Sequence, residues 1–70
     1  MENYRIIFSE CEHWNDLLNY EEDLQKSGAK ILSASLNEDV EEGTVTIGVV
    51  DYKDFLVKFK KTDSFEFSHL

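Results

Sequence analysis

The 70-residue chain has no proline, three glycines and one cysteine, and only 7 lysines and arginines against 15 aspartates and glutamates. A lone cysteine excludes an internal disulfide and favours a reducing compartment. No apolar run is long enough to span a bilayer, and the N-terminus lacks a signal-peptide pattern, so no membrane association is expected. The net charge of −8 disfavours direct nucleic-acid binding and favours partners with basic surfaces.

What is present is enough for a single small domain over residues 1–70. Hydrophobic residues make up 41% of the chain and aromatic residues 13%, which is more than a disordered segment carries. A chain of this size buries only about 60% of the surface that it exposes when unfolded, so its stability is marginal. We therefore expect it to associate with a partner or with itself.

The first half of the chain alternates between two periodicities. Apolar residues at every second position over 4–9 predict a strand. The sequence from Ser9 to Glu12 has the form of a capping box and predicts a helix from Glu10 to about Ser27. Gly28 is placed to end this helix in a left-handed conformation. The helical spacing assigns four residues to the core face: Trp14, Leu17, Leu18 and Leu24.

The second half begins with two predicted strands, over 29–37 and 44–50. In the first of them Leu32, Ala34 and Leu36 are expected to face the core, and Ile31 the opposite side. In the second the core-facing residues are expected to be Val45, Ile47 and Val49.

Residue Asp51 is then expected to cap a second helix. Its apolar stripe consists of Tyr52, Phe55, Leu56 and Phe59, while Lys53, Lys58, Lys60 and Lys61 lie on its outer side or flank. Alternation over 55–61 leaves a strand as the alternative for this segment. A short last strand over 64–68 completes the series.

The element order is strand-helix-strand-strand-helix-strand, which resembles the ferredoxin-like α+β sandwich. This resemblance covers the whole chain and implies a four-stranded antiparallel sheet with two helices on one face. Such a fold hosts many unrelated functions and does not select one.

The net negative charge is confined to the first fifty residues, which hold 11 acidic and 3 basic residues, whereas residues 51–70 hold four of each. It is concentrated on the outer face of the first helix and in the loop after the second strand. A charged outer face is often only a solvated one. As a docking surface, it would use eight carboxylates: Glu12, Asp16, Glu22, Asp23, Glu38, Asp39, Glu41 and Glu42.

Glu21 is an anomaly, because its carboxylate falls within the apolar stripe of the first helix. A buried carboxylate without a partner is costly. Either Glu21 lies at the edge of the stripe or pairs with Arg5 or Lys30, or it is a functional carboxylate in a pocket or interface.

The leading hypothesis is a non-enzymatic protein that docks on the basic, nucleic-acid-binding surface of a protein partner and inhibits or regulates it. In size and charge the chain resembles the small nucleic-acid-mimicking inhibitors of phages. We expect it in the cytoplasm, which would be the host cytoplasm for a phage-encoded chain. The open face of the sheet, where Ile7, Ile31 and Val50 lie among serines and threonines, also suggests a homodimer surface.

Two other function classes remain as alternatives. One is a small-molecule-sensing regulatory domain, since the element order also resembles the ACT domains, which bind amino acids at the loop after the first strand. The other is a small cofactor-free enzyme, for which only His13, Trp14 and Asn15 can be nominated. On a helix Cys11 and His13 point to different sides, so no Cys–His nucleophile, metal site or cofactor is expected.

Overall fold

The predicted elements all occur in the computed structural model, which describes residues 1–59 and 65–70. In chain order they are β1 (Glu2–Phe8), α1 (Trp14–Lys26), β2 (Lys30–Asn37), β3 (Glu42–Val49), α2 (Tyr52–Lys58) and β4 (Phe65–His69). The strands form one antiparallel sheet in the order β2-β3-β1-β4. This is the βαββαβ topology of the ferredoxin-like sandwich, as predicted.

Strand register gathers the apolar side chains on one face of the sheet. Tyr4 pairs with Ile47 and Ile6 with Val45, and all four side chains are buried. The helices cover this same face through Leu17 and Leu24 of α1 and Phe55 of α2, and Phe59, which follows α2, joins the same core. The prediction of two helices on one side is therefore confirmed.

Helix α1 begins four residues later than predicted. The prediction of a capping box at Ser9 and Glu12 is wrong, because Glu10 adopts a left-handed conformation (φ 60°) and the chain stays irregular until His13. His13 is the N-cap, and its backbone N–H donates to Asp16 Oδ2 at 3.2 Å. Gly28, at φ 98°, follows the end of the helix as predicted.

The buried face of α1 is rotated relative to the prediction. Trp14 and Leu18 were expected in the core, but 51% and 55% of their surfaces are exposed. Tyr20 packs there instead, with its ring stacked on Phe8 at a centroid distance of 4.1 Å. Cys11, which enters the core from the preceding loop, occupies further space near the start of the helix.

A β-bulge in β2 reverses another assignment. Ile31 pairs with Ile47 and packs against the core, and the register then shifts so that Ser33 pairs with Thr46. Leu32 is the extra residue and is 44% exposed. The predictions that Ile31 lies on the open face and that Leu32 lies in the core are therefore both wrong. The inserted residue exchanges the two faces of the strand.

The segment after β3 is a helix, so the alternative strand is wrong. Asp51 caps α2 by accepting a hydrogen bond from the Asp54 backbone N–H at 3.2 Å. An ion pair also forms along α2 between Lys58 and Asp54, four residues apart, at 3.0 Å. The predicted outer positions of Lys60 and Lys61 lie outside the described residues. No helix in residues 1–59 or 65–70 has the length and apolar character needed to cross a membrane.

Candidate functional site

The loop after β1 and the hairpin between β2 and β3 lie at the same end of the sheet. Phe8, the last residue of β1, pairs with Gly43 near the start of β3. The Cys11 backbone N–H then donates to the Glu41 carbonyl oxygen at 2.8 Å and joins the loop to the hairpin. The start of α1 is thereby held beside the hairpin.

Gly43 is what allows this junction to close. A β-carbon at this position would lie 2.8 Å from Leu17 Cδ1 and 3.0 Å from Cys11 Sγ. Both distances are shorter than ordinary van der Waals contacts, so a larger residue at this position would require the buried side chains of Leu17 and Cys11 to move. The contact between the loop and the hairpin therefore depends on the absence of a β-carbon at Gly43 in β3.

The two joined segments carry seven carboxylates. Residues 9–16 and 37–44 contain no lysine or arginine. We call these two segments the acidic corner; its carboxylates are Glu10, Glu12, Asp16, Glu38, Asp39, Glu41 and Glu42. Five of them are exposed, and the other two, Asp16 and Glu42, are half-buried. The corner is a local concentration of negative charge on one part of the surface.

Two of these carboxylates stand on left-handed backbone. Glu10 has φ 60° and Glu41 has φ 53°, and apart from Gly28 they are the only described residues with positive φ. A side chain larger than glycine in this region costs on the order of 1 kcal/mol. Glutamate therefore occupies two positions where glycine would be more stable, and both lie in the acidic corner.

Six of the eight predicted docking carboxylates lie together in this corner. Glu22 and Asp23 do not, because they follow Trp14 by eight and nine residues, or about 12–14 Å along the helix axis. Glu22 pairs with Lys26 at 3.1 Å, and Asp23 lines a cleft of about 360 Å³ with Lys58. Glu10 was missed, because its left-handed conformation has no signal in the local sequence.

Glu21 lies at the edge of the α1 core face and is half-buried. Neither of the ion pairs within the described residues joins it to Arg5 or Lys30, so the predicted pairing does not form. Its position, 40° from Leu17 around the helix at 100° per residue, explains its partial burial. A functional role for this carboxylate stays a prediction.

Cys11 lies in the β1–α1 loop, not in the first helical turn, and it is fully buried. Burial raises the pKa of its thiol above the usual range, and the Asp16 carboxylate adds to this effect. A buried thiol with a raised pKa is a poor nucleophile. Within the described part of the chain, no three His, Cys, Asp or Glu side chains are grouped as metal ligands.

The Cys11 thiol is expected to react with Ellman's reagent at least about 100-fold more slowly in the native protein than in urea, near pH 8. The reason is that both access and the thiolate fraction are low until the domain opens. The measurement is the rate of thionitrobenzoate release with and without urea. Equal rates would show that the loop leaves Cys11 accessible.

The opposite end of the sheet carries an aromatic stack. The Tyr4 ring lies between Tyr52, at a centroid distance of 4.1 Å, and His69, at 4.8 Å. Burial, followed by a 2.7 Å hydrogen bond from the Tyr4 hydroxyl to Glu2, raises the pKa of Tyr4 to about 12. Tyr4 is therefore neutral at physiological pH and acts as part of the core.

The open face of the sheet is mostly small and polar. Ser33 and Ser35 of β2 pair with Thr46 and Thr44 of β3, opposite to the core side. Ile7 is half-buried there, Ile31 is absent from this face, and Val50 lies beyond the end of β3. Of the three apolar residues that were predicted for a dimer surface on this face, only Ile7 lies there within the sheet.

No family model, curated protein or solved structure matches the chain.

Proposed function

We propose that this chain is a non-enzymatic binding protein whose acidic corner docks on a basic surface of a protein partner. The partner's basic surface is one that binds nucleic-acid phosphates, and its occupation by the corner inhibits or regulates the partner in the cytoplasm. The observation that carries this proposal is the joining of seven carboxylates in two segments that hold no lysine or arginine.

The strained glutamates support a role for the charge itself. If the corner were only a solvated surface, glycine or asparagine would serve better at Glu10 and Glu41, whose φ values are positive. Strained backbone of this kind tends to occur at functional sites. Keeping carboxylates at both positions therefore favours a function that uses them.

The geometry also suits phosphate mimicry better than catalysis. The corner's exposed carboxylates provide acceptors only, and the nearby thiol is buried. Acceptor groups on two segments joined by a backbone hydrogen bond match the lysine and arginine donors of a phosphate-binding groove. Like-signed charges grouped on one part of a surface act together on an approaching cationic surface and speed its association.

The chain offers a matched pair of variants to test this. Glu38→Gln/Asp39→Asn removes two exposed carboxylates within the corner, and Asp23→Asn/Asp54→Asn removes two exposed carboxylates outside it, one on α1 and one on α2. Each double variant removes two of the 15 acidic groups, so their net charges are equal. Only the position of the lost charge differs between them.

The assay first isolates partners on the immobilised wild-type chain and then measures the affinity of the purified partner over a range of salt concentrations. We expect Glu38→Gln/Asp39→Asn to weaken binding about 10-fold and to reduce its salt dependence. We expect Asp23→Asn/Asp54→Asn to change affinity less than about 2-fold. Equal effects of the two variants, or salt-insensitive binding to an acidic partner, would contradict the proposal.

A further inference from the structure

Two large apolar side chains are exposed where α1 leaves the acidic corner. Trp14 is the first residue of the helix and is 51% exposed, and Leu18, one turn later, is 55% exposed. Residues four apart on a helix lie side by side, so the two side chains form one surface. Val40, in the hairpin of the corner, is a third exposed apolar residue.

The core does not account for this arrangement. Leu17, Tyr20 and Leu24 form the face of α1 that packs on the sheet. At 100° per residue Trp14 and Leu18 lie 60° and 100° from Leu17 on the flank away from Tyr20, so they stay outside. Single surface leucines are common, but an exposed tryptophan beside a leucine is typical of binding surfaces.

We propose that Trp14 and Leu18 are the apolar anchor of the interface made by the acidic corner. This inference rests on the proposed function and specifies the partner further. The partner is a protein with an apolar pocket that receives the Trp14 indole, bordered by lysine or arginine residues that face the corner. Charge at the rim gives fast, oriented association, and burial of the indole gives slow dissociation.

The negative charge of the acidic corner favours a basic protein partner over a second copy of the chain or a single-stranded nucleic acid. In a second copy of the chain docked through the same surface, the two acidic corners, which contain no lysine or arginine, would face each other. Such an arrangement is repulsive, so the patch does not favour a homodimer. A single-stranded nucleic acid could stack on Trp14, but its phosphates would meet the same carboxylates.

The test uses the full chain and the purified partner defined above. Trp14→Ala and Leu18→Ala remove the anchor, and Val57→Ala is the matched control because Val57 is 79% exposed on α2. We expect Trp14→Ala to weaken binding about 30-fold, Leu18→Ala about 5-fold and Val57→Ala less than about 2-fold. Thermal melting checks that each variant stays folded, as expected for exposed positions.

The salt dependence separates the two proposals. An apolar anchor predicts that Trp14→Ala lowers affinity through faster dissociation and leaves the salt dependence unchanged, whereas Glu38→Gln/Asp39→Asn reduces it. If only the charge variant weakens binding, the anchor is wrong and the proposed function stands; if neither does, both are wrong. If light scattering shows a dimer that Trp14→Ala converts to a monomer, the surface is a self-interface and the anchor proposal is overturned.

Discussion

Replacing Phe55 with alanine is expected to lower the free energy of unfolding by about 3–5 kcal/mol. Phe55 is buried, stacks on Phe59 at a centroid distance of 5.4 Å and meets the edge of Phe67 at 6.1 Å. A domain of this size has a total stability of only about 3–5 kcal/mol, so Phe55→Ala should be at least partly unfolded without denaturant. Urea titration followed by far-ultraviolet circular dichroism measures the change.

Two further variants make this result specific. Phe55→Leu keeps most of the apolar volume and should lower stability by about 1 kcal/mol, which leaves a measurable transition. Val57→Ala should change stability by less than about 0.5 kcal/mol, because Val57 is exposed and alanine favours a helix. In a strand Val57 would share a face with Phe55, so a large loss from Val57→Ala would contradict the helix α2.

The sequence was enough to predict the six elements and their order, because period-2 and period-3.6 patterns alternate without long loops. The cap of α2 was also predictable, since Asp51 and the helix that it caps are adjacent in the chain. Where the determining contact is local, the pattern contains it. The ferredoxin-like topology follows from the order of the elements.

The start of α1 could not be predicted in the same way. The sequence from Ser9 to Glu12 satisfies a capping-box pattern, but the Cys11 backbone N–H bonds to the Glu41 carbonyl, thirty residues away. This long-range bond keeps the loop out of the helix and moves the cap to His13. A capping motif states a local preference, and tertiary contacts override it.

The exposure of Trp14 and Leu18 has a related cause. Apolar spacing gives the direction of a helix face only to within the width of its stripe, and Tyr20 lies at the other edge of that stripe. Which edge is buried depends on the side chains beneath it, here Phe8, on which Tyr20 stacks. The sequence therefore predicted the acidic residues of the candidate site, such as Glu38 to Glu42, but not the exposed apolar pair of Trp14 and Leu18 beside them.

Gly43→Ala is expected to lower the free energy of unfolding by about 1–3 kcal/mol, although alanine suits a strand better than glycine does. The added β-carbon would lie 2.8 Å from Leu17 Cδ1 and 3.0 Å from Cys11 Sγ, and both of these side chains are fully buried. Gly48→Ala on the same strand is the matched control, because its β-carbon would meet mainly the side chain of Met1, which is exposed and can move. Thermal and urea unfolding should show a loss for Gly43→Ala and a change within about 0.5 kcal/mol for Gly48→Ala.

A double-mutant cycle with Cys11→Ala attributes this loss to the junction between the loop and the hairpin. Cys11→Ala alone removes a buried side-chain atom and should be destabilising, but it also removes one of the two close contacts of the new β-carbon, the one with Sγ, and leaves the contact with Leu17 Cδ1. Gly43→Ala should therefore lose less stability in the Cys11→Ala background, with a coupling of about 0.5–2 kcal/mol. Additive losses would show that Gly43 does not hold the β1–α1 loop in place. Since Glu10, Glu12 and Asp16 reach the hairpin through that loop, coupling would also show that a core contact fixes the shape of the acidic corner.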